Sequence, residues 1–378
     1  MSGGAATSSR GLPGAPSATT TAGEGPGTTS AATTAEPATT AEPAPISVPA
    51  GGPCDFTGLG DRTSAITFTS GGRLYQLEPD GTTPTCLADL SAAPATSLAW
   101  SPAGGAVLLD GSRVLDASGT RQTGYRPDNA GVEWSYPTGK ALIAPAVADG
   151  ALLWRAAGDP GSRLDISFLT HTDVAVYHPA GKNVFAVGVD STGTPGVYVA
   201  SNRGQNMQRV AVVNDPTTKI TELAADVSGA RLYLLHDEGT KWEIHSVVFP
   251  SLQLTTVFDS AQPLSRLTLG SGPDSPVAAQ VGTCAGDTHT IVATWGTTTV
   301  GTGTPLASMS TAPIGWLDRD HLVVAARAHG CSGPASVWVA RGDGSARQVL
   351  TSVGDVAVRS VLGSFGELPG DINSQAPG

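Results

Sequence analysis

A short motif that returns about every forty residues constrains this chain more than anything else in it. Leu98-Ala-Trp100-Ser-Pro-Ala-Gly104 aligns with Ala175-Val-Tyr177-His-Pro-Ala-Gly181 and with Val132-Glu-Trp134-Ser-Tyr-Pro-Thr-Gly139. Leu223-Ala-Ala225-Asp-Val-Ser-Gly229 and Ile314-Gly-Trp316-Leu-Asp-Arg-Asp320 repeat it more loosely, and Leu269 marks a degenerate sixth copy. The anchors fall at positions 100, 134, 177, 225, 269 and 316. Each interval holds about four short strands, a unit that suits a propeller blade better than a sandwich or an α/β domain. In Leu98-Ala-Trp100 and Ile314-Gly-Trp316 large and small residues alternate, the period of a strand buried on one face. A large ring there packs between neighbouring blades and buries about 150–250 Å².

Composition agrees with short strands and tight turns: 48 glycines, 28 prolines and only 14% charged residues. No stretch keeps a long 3.6-residue apolar period, so helices are expected to be scarce. Ala65–Thr69, Arg73–Glu78 and Thr82–Ala88 supply only three strands before a second blade opens near Thr96. Asp355-Val-Ala-Val-Arg-Ser-Val-Leu362 is an orphan strand near the other end. Laying it into the first blade as the innermost strand closes the ring and covers edges that would otherwise stay open. The expected fold is therefore all-β: a seven-bladed β-propeller over 54–363, its first blade closed by the C-terminal strand, followed by a flexible tail over 364–378. The blades run 64–90 with 355–362, then 96–124, 131–168, 172–213, 220–258, 265–306 and 312–351.

Residues 1–53 read differently. Thr33-Thr-Ala-Glu-Pro-Ala38 and Thr39-Thr-Ala-Glu-Pro-Ala44 nearly duplicate one another, and such apolar-poor tracts cannot offset the entropy of ordering. A disordered Thr/Ala/Pro-rich stalk or a plain linker is expected. Met1-Ser-Gly-Gly opens no signal peptide, which leaves an upstream start, a trimmed chain or a cytosolic address. No run of eighteen apolar residues is available to span a bilayer.

The four cysteines help to choose among these. None lies in a C-x-x-C pair, which weakens zinc and thioredoxin-like readings. Cys284 and Cys331 occupy corresponding turns of adjacent blades, so a bridge between them is geometrically natural. Cys54, entering the first blade, and Cys86, on its outer strand, form the remaining pair. The alternative is four unrelated buried thiols. Two disulfides imply an oxidising compartment, hence a secreted or envelope address.

The Trp100-Ser-Pro-Ala-Gly104, Tyr177-His-Pro-Ala-Gly181-Lys and Trp134-Ser-Tyr-Pro-Thr-Gly139-Lys turns resemble the repeats of TolB-type, WD40-like propellers of bacterial envelopes. The resemblance covers residues 64–362 as a repeat pattern, without the α/β domain that precedes the propeller in TolB. It implies an extracytoplasmic, non-catalytic interaction scaffold.

A net charge of −11 with no Lys/Arg cluster argues against nucleic acid and against anionic membrane surfaces. The chain holds no H-E-x-x-H, G-x-S-x-G, P-loop or dinucleotide fingerprint. Its histidines (171, 178, 236, 245, 289, 321 and 329) show no paired spacing, so no metal site and no cofactor are expected. Arg341-Gly342-Asp343 lies in a hairpin turn where Gly and Asp make the turn, and is not read as an adhesion signal. The turns between second and third strands do carry acids: Asp110, Asp149, Asp190, Asp237 with Glu238, and Asp287. These turns share one face of the disc with the blade connections, which add Tyr125, Arg126 and His171. Asp-Gly is also ordinary hairpin chemistry, because such turns need positive φ and a side chain that binds its own backbone. If the acids act together, they recruit a basic partner or hold Ca²⁺ through oxygen ligands.

Two functions from different classes follow. The first is a monomeric binding scaffold of a bacterial envelope, presenting face loops to a protein or glycan. The second is a glycoside hydrolase or lyase with carboxylates at the channel mouth, which needs two converging carboxylates about 5–10 Å apart.

Overall fold

The computed structural model describes the chain from 44 to 359, except 50, 57–64, 79–82, 102–104, 123–132, 135–140, 147–150, 157–161, 166–168, 178–182, 202–207, 213–218, 227–230, 249–250, 271–275 and 294–297. Among the described residues the strands pair into seven four-stranded antiparallel sheets, and a 3₁₀ turn lies at Pro305–Ser308. In blades two to seven the sheet order follows the sequence, and the innermost strands are Leu98–Trp100, Glu133–Trp134, Leu169–Tyr177, Lys219–Ala225, Leu264–Leu269 and Ser310–Trp316. Each of the six repeat anchors is the last residue of one of these strands. The motif thus marks the corner at which the innermost strand turns back into the second.

Blade one is completed from the other end of the chain. Val356–Arg359 pairs antiparallel with Ala65–Ser70, matching Ile66 with Val358 and Phe68 with Val356. The pairing continues past the strand, where Thr69 N–H donates to the Asp355 carbonyl at 2.9 Å and Gly354 N–H to that of Thr69 at 2.7 Å. The innermost strands of blades four to seven touch in succession, and Val356–Arg359 meets both Leu98–Trp100 and Ser310–Trp316. This is the closed β-propeller that the repeat spacing predicts.

The cores lie between blades. Tyr233, Leu235 and Ile244 of blade five pack on Val277, Ala279, Val281 and Ile291 of blade six. The opposite side of blade five sends Leu232, Leu234 and Val247 against Phe185, Val187, Val197 and Val199 of blade four. Alternation along each strand therefore feeds two cores at once. The tryptophans add a polar pin: Trp100 Nε1 donates to Thr67 Oγ1 at 2.7 Å, and Trp316 Nε1 to Thr268 Oγ1 at 3.1 Å, each reaching the preceding blade. The Arg359 guanidinium lies 5.2 Å from the Trp100 ring centre.

The folded unit begins at Ala44, about ten residues before the expected boundary. Ile46 pairs in parallel with Leu350 on the outer strand of blade seven, donating its N–H to Val349 O at 3.0 Å. Ile46 and Val48 pack on the core shared by blades seven and one. Tyr75 then donates its hydroxyl to Pro49 O, Arg73 donates to Gly52 O, and Phe56 stacks on Trp100 of blade two at 6.3 Å. Two apolar side chains are enough to fasten a segment whose composition otherwise reads as linker.

All four cysteines are paired, Cys54 with Cys86 and Cys284 with Cys331. The second bridge joins the turns after Val277–Val281 and His321–Arg327, tying blade six to blade seven. Gly330 beside it has φ +60°, and a Cβ there would lie 2.9 Å from the Cys284 carbonyl oxygen. Replacing both Cys284 and Cys331 with serine opens a loop of 47 residues and is expected to lower stability by about 2–4 kcal/mol. Urea unfolding under non-reducing conditions checks this, and a loss well under about 1 kcal/mol would contradict the geometry-based reading.

Candidate functional site

Among the described residues, the turns between second and third strands and the blade connections share one face, and two clusters of chemistry stand on it. The first is a cleft of about 300 Å³ where blades seven, one and two meet. Thr69, Gly72, Leu90, Pro94, Pro334 and Ser352 are among its walls. Asp355 follows directly on that wall, its N–H bound to Thr69 Oγ1 at 2.9 Å. Burial raises the Asp355 carboxyl above the ordinary range, helped by Asp110, while Arg327 and Arg266 work against the rise. Burial likewise lowers Arg327, with Arg266 adding to the effect and Asp355 opposing it. The channel mouth beside the cleft therefore holds arginines as well as acids. Arg266 is itself placed by blade five: Glu222 accepts the Arg266 and Leu267 N–H groups, each at 2.7 Å, across a register break in the innermost strand of blade six. This carboxylate clamp was not anticipated, because nothing in a single strand announces a partner on the next blade.

The anticipated acids sit on separate blades, and several are held by their own turns. Asp110, at φ +52°, accepts from Thr96 N–H at 2.7 Å and Ser97 N–H at 3.0 Å, and pairs with Arg113 at 2.6 Å. Burial acts to raise its carboxyl, but these donors prevail and it lies below its usual range. Asp190 takes three bonds from Thr192 and Thr194, led by the Thr192 hydroxyl, and is lowered to about 2. Asp237 accepts from Gly239 N–H at 2.8 Å. Asp287 is largely exposed and lies 3.9 Å from His329. The same Asp-to-second-residue bond recurs at Asp116, Asp318 and Asp343, in turns that face the other side of the disc. The Arg341-Gly342-Asp343 tripeptide is one of these turns. His171 is a correction: it lies within the innermost strand Leu169–Tyr177, opposite Val189, rather than in a connection. Breaks in register on either side of it explain why a clean alternation was not visible there. Asp149, Tyr125 and Arg126 lie outside the described residues.

The second cluster brings together side chains that the sequence reading kept apart. In blade five Arg231–Asp237 pairs with Trp242–Val248, setting His236 opposite Glu243 and Leu234 opposite His245. His236, Glu238, Glu243 and His245 share one face, and a ligating atom from each lies within 4.8 Å of the others. His236 Nδ1 is 3.3 Å from His245 Nε2, which is 3.0 Å from Glu243 Oε2. Lys241 reaches Glu243 at 2.5 Å and Glu238 at 3.4 Å. Burial lowers both imidazoles, the nearby carboxylates only partly offsetting it, so both rings are held towards the neutral form. The signal was present as His-x-Glu and Glu-x-His on either side of a turn. Only the hairpin register turns that mirror spacing into one site.

No known protein family matches the chain by sequence, and no curated protein matches it. Solved structures do. A prolyl endopeptidase structure is 15% identical with a TM-score of 0.51, covering 79% of this chain and 50% of that one. An oligogalacturonate lyase in complex with manganese is 13% identical with a TM-score of 0.50, covering 71% of this chain and 82% of that one. A putative TolB from Agrobacterium tumefaciens is 16% identical with a TM-score of 0.43, covering 64% of this chain and 93% of that one. What the endopeptidase and lyase structures share with this chain is the fold. At such identities the likeness carries no residue roles across.

Proposed function

We propose that this protein is a binding scaffold that works outside the cytoplasm and presents the cleft-bearing face to an envelope protein or glycan. The observation that carries this reading is the mouth itself. A cleft of about 300 Å³ is walled by short polar and apolar side chains and flanked by Arg266, Arg327 and Asp355, on a ring stapled by two disulfides. Loops held by a rigid frame are where recognition residues concentrate. Asp110, Asp190 and Asp237 are bound within or beside their own turns, which favours a shaping role for them over proton transfer. The bridges support an oxidising address. Among the described residues no helix is long and apolar enough to cross a membrane.

The half-buried Asp355 beside two arginines supports a second reading, an enzyme acting on an acidic glycan, with a carboxyl kept protonated to higher pH than usual. One experiment separates them. Envelope fractions and a panel of neutral and acidic glycans are offered to the wild type and to Ser352→Arg, which fills the cleft. Retention lost at least tenfold in the variant, with every glycan recovered intact, supports the scaffold. Cleavage of a uronate polymer that fails in Asp355→Asn favours the enzyme, and equal retention by both proteins removes the cleft from either role.

A further inference from the structure

We propose that His236, Glu238, Glu243 and His245 of blade five form a site for a divalent transition-metal ion of the zinc type, whose two carboxylates are paired with Lys241 in the metal-free protein. Ligands about 2.0–2.1 Å from a tetrahedral ion stand about 3.3–3.4 Å from one another. His236 Nδ1 and His245 Nε2 are 3.3 Å apart, His245 Nε2 and Glu243 Oε2 are 3.0 Å apart, and His236 Nδ1 and Glu238 Oε1 are 3.9 Å apart. Four ligating atoms from two adjacent strands and the turn between them are thus already gathered near the edges of one coordination shell.

Chemistry selects the class of ion. Two imidazole nitrogens with carboxylates suit zinc, cobalt, nickel or copper, whereas calcium takes oxygen ligands. A metal takes the neutral form of each ring, whose free nitrogen has a lone pair to give. His245 is braced from behind, its Nδ1 lying 3.3 Å from Thr256 Oγ1 on the outer strand of the same blade. With Nε2 on a metal, Nδ1 carries the proton and donates it to that hydroxyl, fixing the ring and its tautomer.

Charge explains the place of Lys241. Glu238 and Glu243 bring two negative charges to a site where the Glu243 side chain is only 8% exposed and that of His245 9%. One ammonium leaves a negative charge over, and a dication with two neutral imidazoles balances both carboxylates. The Lys241 side chain is 46% exposed, so it can swing into water when the ion enters. It is a competitor for the site. The cysteines offer no rival thiolates, since all four are bridged.

The test uses the full chain, stripped with chelator and titrated with Zn²⁺ by calorimetry and with Co²⁺ by absorption. The expected result is one ion per chain, with the intense visible bands of tetrahedral cobalt. His245→Gln and Glu243→Gln should each weaken binding at least tenfold. Lys241→Met should tighten it, a gain that a misfolded variant cannot imitate. Absence of stoichiometric zinc binding in the wild type would overturn the proposal. So would equal affinity in wild type and His236→Gln/His245→Gln, or loss of binding in a folded Lys241→Met.

Discussion

Replacing Trp316 with alanine is expected to destabilise the protein by about 3–5 kcal/mol, a large share of what a domain has to lose. Trp316 is 2% exposed and packs with Ala278 and Val292 of blade six and with Leu322, Val324 and Trp338 of its own blade. Alanine would leave a cavity bounded by two sheets that closure of the ring holds apart, so collapse offers little relief. Trp316→Phe separates the two contributions. It keeps most of the ring but leaves Thr268 Oγ1 without its indole donor, and should cost more than the hydrogen bond alone, about 1 kcal/mol. Denaturant unfolding with an unchanged m-value measures both. A loss under about 1 kcal/mol for the alanine variant would mean that the seam between blades six and seven does not depend on this ring.

Ending the chain at Gly354 should have a larger effect. It removes Val356–Arg359 and exposes the edge of Ala65–Ser70, where Ile66 and Phe68 are at most 1% exposed. It also uncovers Gly315, whose position lies 3.1 Å from Val358 when a Cβ is built on it, a measure of how tightly blades seven and one meet. A deficit of about 5 kcal/mol or more is expected, enough to abolish cooperative folding of a domain of ordinary stability. A chain ending at Leu362 keeps the strand and should fold. Adding a peptide of residues 355–362 to the shorter chain should restore a thermal transition, because an open edge accepts an added strand. Equal midpoints for the two truncated chains would show that the ring does not rely on its closing strand.

The readable parts of this fold were those in which one residue type marks a repeated position. The anchors at 100, 134, 177, 225, 269 and 316 each end an innermost strand, and even the degenerate Leu269 kept the register. The closing strand was legible because it had no sequence neighbour left to pair with. Harder to read were features that depend on which residues stand opposite one another. The His/Glu cluster exists because His236 faces Glu243, and a shift of one residue would send half the set to the core with Tyr233 and Leu235. Glu222 acts on the next blade, and Ile46 pairs with a strand some three hundred residues away, so neither leaves a local pattern. For the acids the residue type was informative and its role was ambiguous. Asp-x-Ser, Asp-x-Thr and Asp-x-Gly turns form on both faces of the disc, so an acid in a turn says little about recognition.

The segment running from Ala44 to Phe56 also decides how the propeller meets a mechanical pull. Tension applied upstream of Ala44 first meets the single parallel bridge between Ile46 and Leu350, which peels one bond at a time. It then arrives at Cys54 and crosses covalently to Cys86 on the outer strand of blade one. Residues 55–85, which include Ala65–Ser70 and Arg73–Leu77, lie within the bridged loop and are bypassed by the force. An oxidised protein held by its leading end would therefore keep the closing blade slack, while a reduced one would be unravelled from that blade first.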